Sequence, residues 1–449
     1  MNKIILLCLV LFADLQQVQA ADFPFTLHKL QSGVAGPTIL IIGGIQGDEP
    51  GGFTAASLLV TDYEITRGEV WVVPNLNFES IIKRSRGVHG DMNRKFLDIP
   101  VSDPEYQTIT KIKSIITDQQ VYMILNLHDG SGFYNSDYVD KNENPRRWGQ
   151  CIVIDQATIE SEAFGNLEVI ARNAMRSANT KTNSNREKFL LKNTRTSEGD
   201  KEMEKSLTYF AIKNGKAAMG VEASKSYPTG RRIFNHLRFV EAMFDEMGIE
   251  FKREFKLSAR TIDRKLGRDI QLVMYNNKIL YDFDTPRKRI NYVPIQKNST
   301  IEFSTNNPLV AIINTAKSYK VRYGNRGFTI LKPEYFDYDD TLSEIPIEID
   351  GVKSQVPIGS MVTVSRNFKI QPMRGRRVNV IGYRKSGQRN ESGLLIHKKQ
   401  ISSRFSVDMQ AEKYRVEFYK GKKYSGMILI DFSGNSKIKA AAKKTMPTS

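Results

Sequence analysis

Apolar residues in the first 250 positions fall into short runs that alternate with longer amphipathic stretches. The β-branched run at 39–42, bounded by Pro37 and Gly43, predicts a buried strand. Comparable runs predict strands at 69–73, 123–127, 151–154 and 217–222, and helical spacing of apolar residues predicts helices at 51–62, 105–116, 163–178 and 229–247. Strands that alternate with helices are typical of an α/β/α layered fold, so we expect the α/β class.

From about residue 255 the pattern changes to short segments in which apolar and polar residues alternate. Asn276-Asn277 between two such segments predicts a hairpin turn. We expect two smaller all-β domains here, the last resembling an immunoglobulin-like β-sandwich. The predicted division is a signal peptide at 1–20, an α/β/α domain at 21–254, a β-rich, barrel-like domain at 255–345 and the β-sandwich at 346–449.

The N-terminus has the pattern of a secretory signal. Lys3 precedes an apolar run at 4–13, and small residues precede Ala21, which predicts cleavage after Ala20. The apolar run is too short for a stable membrane anchor, and no later segment approaches the length of a membrane helix. We therefore expect an exported, periplasmic protein without an integral membrane segment. Cleavage would leave Cys151 as the one cysteine, which excludes an intramolecular disulfide.

The formal net charge is +17. Outside the cytoplasm, such a charge suits an anionic polymer such as peptidoglycan, or anionic lipid headgroups. Export makes nucleic acid the weaker alternative, and we expect no nucleic-acid partner. A second explanation is that periplasmic proteins of AT-rich bacteria are often Lys-rich, so the charge alone does not identify a ligand.

Candidate chemistry follows two of the predicted strands. Gln46 and Glu49 lie on the loop after the first strand, and His128 ends the run at 123–127. Open α/β sheets place their ligand crevice at the carboxyl ends of strands. Three such ligands with a fourth position left open are the layout of a catalytic zinc site. The alternative is that a lone His at a strand end is structural.

These residues resemble the zinc carboxypeptidase family (carboxypeptidase A-like), whose motif is His-x-x-Glu followed much later by a further His. Gln46 stands where the family has its first His. With that departure, the chain is most similar to the peptidoglycan DL-carboxypeptidases that set helical cell shape in Helicobacter- and Campylobacter-type bacteria. The resemblance is strong over 35–230. It implies a mixed-sheet α/β/α carboxypeptidase domain with one Zn²⁺ per chain, held by Gln46, Glu49 and His128.

The resemblance also implies the remaining site residues. Asn93 and Arg94 would grip the terminal carboxylate of the substrate, because a guanidinium binds a carboxylate in a bidentate manner and Asn adds a neutral donor. Arg86 would polarise the scissile carbonyl, with Arg84 as its rival. Glu222, at the end of its strand, would be the general base. An Arg-rich loop on a basic protein can also be a plain solvated surface.

Together these features predict a periplasmic zinc-dependent DL-carboxypeptidase with a role in cell shape. By resemblance, it would release terminal meso-diaminopimelate from a peptidoglycan tripeptide and leave the dipeptide. Muropeptides would be its partners, and the β domains would dock the sacculus or cell-shape proteins. Two alternatives stay open: an amide hydrolase of the desuccinylase or aspartoacylase kind, and a metal-poor peptidoglycan-binding scaffold.

Overall fold

A computed structural model describes residues 23–161, 163–384 and 388–434. The predicted signal peptide at 1–20 lies outside these residues. The strands up to residue 254 are β1 (His28–Gln31), β2 (Thr38–Gly43), β3 (Tyr63–Arg67), β4 (Glu69–Val73), β5 (Val121–Gly130), β6 (Phe133–Tyr134), β7 (Glu143–Asn144), β8 (Cys151–Ile154), β9 (Leu190–Asn193), β10 (Ala217–Ser224) and β11 (Glu250–Arg253). The helices are α1 (Pro50–Asp62), α2 (Phe78–Lys83), α3 (Tyr106–Ile116), α4 (Leu167–Asn179), α5 (Leu207–Lys213), α6 (Thr229–Met247) and α7 (Ala259–Lys265).

A seven-stranded sheet organises this first part, in the order β1-β4-β2-β5-β10-β8-β9. The pairs β4–β2, β2–β5 and β5–β10 are parallel, whereas β1 and β8 run antiparallel to their neighbours β4 and β10. Helices α1, α4 and α6 pack on one another, and α3 and α5 contact the central strands. The sheet is therefore mixed and the α/β fold class is confirmed.

The predicted central elements are confirmed, with one correction at the site. Strand β5 continues to Gly130, so His128 lies inside a strand rather than at its end. Glu222 likewise lies inside β10, which continues to Ser224. Both extensions have one cause: β5 and β10 pair in parallel over their last residues, and Glu222 stands opposite His128. Polar residues that the sequence assigns to loops are therefore held by strand hydrogen bonds.

The later residues form small β-sheet modules, as predicted, but α7 lies inside the segment 255–345 and packs on α6 of the first domain. Their strands are β12 (Ile270–Met274), β13 (Ile279–Phe283), β14 (Arg289–Gln296), β15 (Phe303–Thr305), β16 (Val310–Thr315), β17 (Ser318–Tyr323), β18 (Arg326–Phe336), β19 (Glu344–Ile349), β20 (Val352–Pro357), β21 (Met361–Thr363), β22 (Asn367–Ile370), β23 (Arg377–Val380), β24 (Ile396–His397), β25 (Lys413–Lys420) and β26 (Lys423–Asp431). The hairpin turn between β12 and β13 contains Asn276 and Asn277, both at positive φ.

Two cores hold these strands. We call the part built on β12–β18 the middle module and the part built on β19–β26 the C-terminal module. Strand β26 serves both, because alternate side chains of a strand point to opposite faces: Leu429 belongs to the middle core, and Ile428 and Ile430 belong to the C-terminal core. The second domain boundary predicted from the sequence, 345/346, falls within β19.

The middle core also reaches into the first domain. Phe53 of α1 and Phe78 and Ile81 of α2 are buried among side chains of the middle module. The C-terminal module consists of two four-stranded sheets, β20-β19-β22-β24 and β21-β26-β25-β23. Its likeness to an immunoglobulin domain stays a prediction, as do the exact domain boundaries. Among residues 23–161, 163–384 and 388–434, no helix has the length and apolar character needed to cross a bilayer.

Candidate active site

Gln46, Glu49 and His128 meet at the carboxyl edge of the central strands. Nδ1 of His128 lies 2.9 Å from Oε1 of Gln46 and 3.0 Å from Oε2 of Glu49. The backbone N–H of Asp129 donates to the same Glu49 oxygen at 3.0 Å, which fixes that carboxylate. All three residues are at most 6% exposed. An amide oxygen, a carboxylate oxygen and an imidazole nitrogen thus face one point.

The chemistry of this donor set fits a divalent metal ion. Nitrogen and oxygen donors of these kinds are ligands that Zn²⁺ accepts, although a neutral amide is a weaker donor than imidazole. No group of three or more His, Cys, Asp or Glu in the described part of the chain is arranged to hold a metal. The Gln46–Glu49–His128 cluster contains two residues of these types, and its third donor is the amide oxygen of Gln46. The buried carboxylates around it would be stabilised by a cation.

Asp91 orients the amide of Gln46. Nε2 of Gln46 donates to Oδ1 of Asp91 at 2.8 Å, which turns Oε1 toward His128. Burial opposes ionisation of Asp91, but the Gln46 hydrogen bond and the charge of Arg86 hold its pKa below the ordinary value. An ionised carboxylate can only accept hydrogen bonds, so the amide cannot turn over without losing this contact. The sequence analysis did not single out Asp91.

The structure separates the two candidate arginines. Arg86 lies 3.5 Å from Oε1 of Glu49 and 2.9 Å from Oδ2 of Asp91, with its side chain 52% exposed. It therefore borders the site and leaves part of its guanidinium open. Arg84 instead donates from Nε to the backbone carbonyl of Asn325 in the middle module. Of the two, only Arg86 contacts a residue of the Gln46–Glu49–His128 cluster.

Asn93 and Arg94 lie near the cluster without touching it. They belong to a 3₁₀ turn, Met92–Arg94, in which the side chain of Asp91 accepts the N–H of Asn93. The side-chain oxygen of Asn93 accepts the N–H of Leu207 at 3.0 Å, and Arg94 lies 3.7 Å from Glu202. Asp91 is therefore the direct link between this turn and Gln46, and a carboxylate-binding role for the pair stays a prediction.

Glu222 stands beside His128 across the β5–β10 pair and beside Cys151 on β8. Burial, followed by the charges of Glu49 and Asp129, raises the pKa of Glu222 to about 8, although His128 and Lys225 act in the opposite direction. The pKa of His128 is raised as well, since its hydrogen bond to Glu49 and the charge of Glu222 outweigh the effect of burial. A carboxyl with such a pKa can accept or release a proton near neutrality.

Two further residues support the site, and the first of them, Lys225, was not predicted. Lys225 lies 3.4 Å from Oε1 of Glu49 and 3.0 Å from Asp48, so its ammonium balances two carboxylates. Asp129 accepts the N–H of Gly51 at 2.8 Å and Nη1 of Arg232 at 2.7 Å, which ties the start of α1 to α6. The sequence favours a turn-capping role for Asp129, with support of the metal site as the alternative; its partners show that it holds the two helices beside the site.

Two family models match the chain. One, described as "Carboxypeptidase controlling helical cell shape catalytic", matches residues 1–266, and the other, "C-terminal domain of metallo-carboxypeptidase", matches residues 338–433. No curated protein sequence matches.

Solved structures of the cell shape determinant Csd4 from Helicobacter pylori are similar over most of the chain. Its apo form is 38% identical, with 91% of this chain and 99% of that chain covered and a TM-score of 0.84. The tripeptide-bound form is 38% identical with a TM-score of 0.83 and covers 91% of this chain and 99% of that one. The mDAP-bound form of this D,L-carboxypeptidase is 39% identical with a TM-score of 0.83, over 88% of this chain and 96% of that one. The chain therefore belongs to the family of metallocarboxypeptidases that control helical cell shape.

Proposed function

We propose that this metallocarboxypeptidase uses Zn²⁺ to release terminal meso-diaminopimelate from a peptidoglycan tripeptide in the periplasm. The observation that carries the proposal is the convergence of Gln46, Glu49 and His128 on one point, with Glu222 on the neighbouring strand. The substrate class is supported by the similarity to Csd4, which has been solved with a tripeptide and with mDAP.

Gln46, Glu49 and His128 would hold the metal. Bound zinc supplies a Lewis acid that polarises a carbonyl and lowers the pKa of water. The protein contributes the fixed directions of the donor atoms: Asp91 orients the amide, and the Asp129 N–H orients the Glu49 carboxylate. Lys225 and Arg86 place positive charge 3.4 and 3.5 Å from Oε1 of Glu49.

Glu222 would transfer the proton. Its carboxylate accepts a proton from the attacking water and returns that proton to the leaving amine of diaminopimelate. Its half-buried position inside β10, opposite His128, limits its access to bulk water. One group that serves in both directions avoids the need for a separate acid.

Arg86, Asn93 and Arg94 would bind the substrate. The exposed part of the Arg86 guanidinium can donate to the carbonyl oxygen as negative charge develops on it. Asn93 and Arg94 lie on the same loop, linked to the cluster through Asp91, and would receive the terminal carboxylate. The partners of Arg94 include Glu202, which is 66% exposed, so a substrate carboxylate can compete with that ion pair.

The cellular setting is part of the proposal. The signal-peptide pattern of residues 1–20 supports export to the periplasm, where peptidoglycan is found. The net charge of +17 supports association with an anionic wall polymer. The two β modules would contact the sacculus or other cell-shape proteins. Fractionation of cells that produce the full chain tests the location.

Mass analysis of muropeptides tests the reaction. Purified protein loaded with zinc should convert tripeptide to dipeptide and release diaminopimelate. The variant Glu222→Gln should lower kcat by about 10²–10⁴-fold, because it removes the proton acceptor while it keeps the shape of the side chain. Zinc affinity, measured by competition with a chelator, should change little.

The same experiment separates the alternatives. Tripeptide binding without turnover in the wild-type protein would favour a peptidoglycan-binding scaffold. Hydrolysis of succinylated or acetylated amino acids in place of tripeptide would favour the desuccinylase or aspartoacylase class. Lys216→Gln provides a control substitution, since this residue donates to Asp118 and Val121 carbonyls away from the site.

A further inference from the structure

The turn between β17 and β18 of the middle module contacts the C-terminal end of α2 in the first, α/β/α domain, which we call the catalytic domain. Nη2 of Arg322 donates to the carbonyl of Ile82 and to the carbonyl of Asn325, each at 2.9 Å. Nε of Arg84 donates to the same Asn325 carbonyl. Two guanidinium groups, one from each domain, thus share one backbone oxygen.

This contact satisfies groups that a helix end leaves open. Ile82 belongs to the last turn of α2, where carbonyls have no partner within the helix. Arg84 follows as the C-cap with φ 57, the left-handed conformation that ends the helix. The middle module therefore fixes both the last carbonyls of α2 and the direction in which the chain leaves it.

The segment that follows α2 contains Arg86 and Asp91, which border the active site. Arg86 comes two positions after Arg84 and lies 3.5 Å from Glu49 and 2.9 Å from Asp91. Asp91 in turn accepts the amide of Gln46 at 2.8 Å. A shift at the end of α2 would therefore reach a predicted metal ligand through Arg86 and Asp91, without any substitution in the site itself.

The turn between β17 and β18 packs closely against α1, so it has little room to move relative to that helix. Gly324 has φ +52, and a Cβ there would lie 3.0 Å from the ring of Phe53. Phe53 is in the first turn of α1, four positions after Glu49, and is buried in the middle core. Ser57 of α1 and Asn75 after β4 also bond to Asn307 and Pro308 of the same module. The turn and the two helices that flank the site are packed as one unit.

We propose that the turn 322–326 of the middle module is a positioning element of the active site, with Arg322 as the positioning residue that holds the end of α2 and, through it, the Arg86–Asp91–Gln46 chain of contacts. The middle module is then more than a docking surface, because the catalytic domain depends on it for the geometry of its own site. The substrate used to test this rests on the proposed function.

Arg322→Ala tests the proposal in the full-length protein. We expect kcat/KM for the tripeptide to fall by about tenfold or more, with a rise in KM, because Arg86 and the following loop lose their fixed position. Zinc affinity should also fall, because the contact chain ends at Gln46. Arg322→Lys keeps a cationic donor and should recover part of both losses.

Arg287→Ala is the matched control. Arg287 belongs to the same module, but it donates to Ser403 and Ser406 of the C-terminal module, away from the site. Arg287→Ala should lower the thermal midpoint of unfolding about as much as Arg322→Ala does, while kcat/KM and zinc affinity stay at wild-type values. Should Arg322→Ala fail to fold, Arg84→Ala removes the other half of the contact at an exposed position and should change both quantities in the same direction.

Wild-type kcat/KM and zinc affinity in both Arg322→Ala and Arg84→Ala would overturn the proposal, as would an equal loss in Arg287→Ala. Inactivity of the wild-type protein on tripeptide would instead contradict the proposed function. In that case the zinc measurements decide this inference alone: a loss confined to Arg322→Ala and Arg84→Ala supports it, and no loss overturns it.

Discussion

The amide of Gln46 is a weak metal donor, and its neighbour Asp91 fixes the orientation of that amide. A primary amide has an oxygen and a nitrogen that can exchange places by rotation, and only the oxygen can bind a metal. Asp91 accepts from the nitrogen, and Gln46 Oε1 faces His128. Fixing a ligand through such a contact is worth about 10–100-fold in metal affinity in known sites. We infer that Asp91 makes up part of what the site lacks in donor strength.

Replacement of Gln46 by His should tighten zinc binding by about tenfold or more, because imidazole is the better donor and its second N–H can still be donated to Asp91. Chelator competition measures the change. Gln31→His on β1, where Gln31 bonds to Glu69, is a control that should leave zinc affinity unaltered. If Gln46→His has the same affinity as the wild type, residue 46 is not a ligand.

Local sequence was sufficient for some of the site residues and not for others. Gln46, Glu49, His128 and Glu222 could be predicted because each follows or ends an apolar run that marks a central strand. Asp91 and Lys225 could not, because their contacts with Gln46 and Glu49 join distant parts of the chain through a loop without a periodic pattern. Arg84 and Arg86 look alike in sequence; only the docking of the middle module distinguishes them.

At the scale of elements, buried strands were predictable and edge strands were not. Strands β2 and β4 are interior strands of the sheet, and each contains a run of four buried apolar residues, 39–42 and 70–73. Edge strands β1 and β9 are short and half exposed, so their residues carry no continuous apolar signal. The ends of β5 and β10 were set too early because Asp129 and Ser224 are polar, yet both pair across the two strands.

The end of α6 gives a prediction that depends on the backbone alone. Gly248 is the C-cap with φ 70, and a Cβ there would meet nothing within 4 Å. Gly248→Ala should therefore lower the free energy of unfolding by about 1 kcal/mol, from left-handed strain without any clash. Denaturant titration measures it. Gly327→Ala, where space is also open and φ is not positive, is the control; an equal loss at both positions would contradict the explanation.

The link between the two β modules should be sensitive to acid. Asp339 accepts from Arg376 and Ser425 at 2.8 and 2.9 Å. Burial opposes ionisation, but hydrogen bonds from Arg376, Thr341 and Ser425 hold the pKa of Asp339 well below its usual range. The stability that a lowered folded-state pKa contributes is fully present above the ordinary pKa of about 4, and it is lost progressively as the pH falls from there through the lowered pKa.

Asp339→Asn should therefore cost about 1–3 kcal/mol at pH 7 and much less near pH 2. Unfolding followed across this pH range measures the difference between variant and wild type. Asp337→Asn, whose Lys297 partner is half exposed, should show almost no such pH dependence. A difference that stays constant from pH 7 to pH 2 would contradict the assignment.

For the whole molecule, the decisive feature is that its cores share elements. The middle core takes Phe53, Phe78 and Ile81 from the catalytic domain and Leu429 from β26, while Ile428 on the opposite face of β26 belongs to the C-terminal core. Three domains in sequence are thus one packed body. The sequence pattern distinguishes three segments of the chain, but it does not reveal these contacts, because they join residues that are distant in sequence.

Leu429→Ala and Ile428→Ala form a matched pair that tests this sharing. Each should cost about 2–5 kcal/mol, because each leaves a cavity in a core. Hydrogen exchange should rise first in β12 and β13 for Leu429→Ala and first in β19 and β22 for Ile428→Ala, according to the core that each residue fills. The same exchange pattern in both variants would show that the two faces do not report on separate cores.

Cys151 lies on β8, one strand in from the edge of the sheet, opposite Glu222 and fully buried, with its thiol donating to the carbonyl of Trp148. An alkylating reagent could reach this sulfur only when the packing around the start of β8 opens. The labelling rate of this thiol therefore measures how often this part of the catalytic domain opens, and the measurement needs no substrate, metal or introduced cysteine.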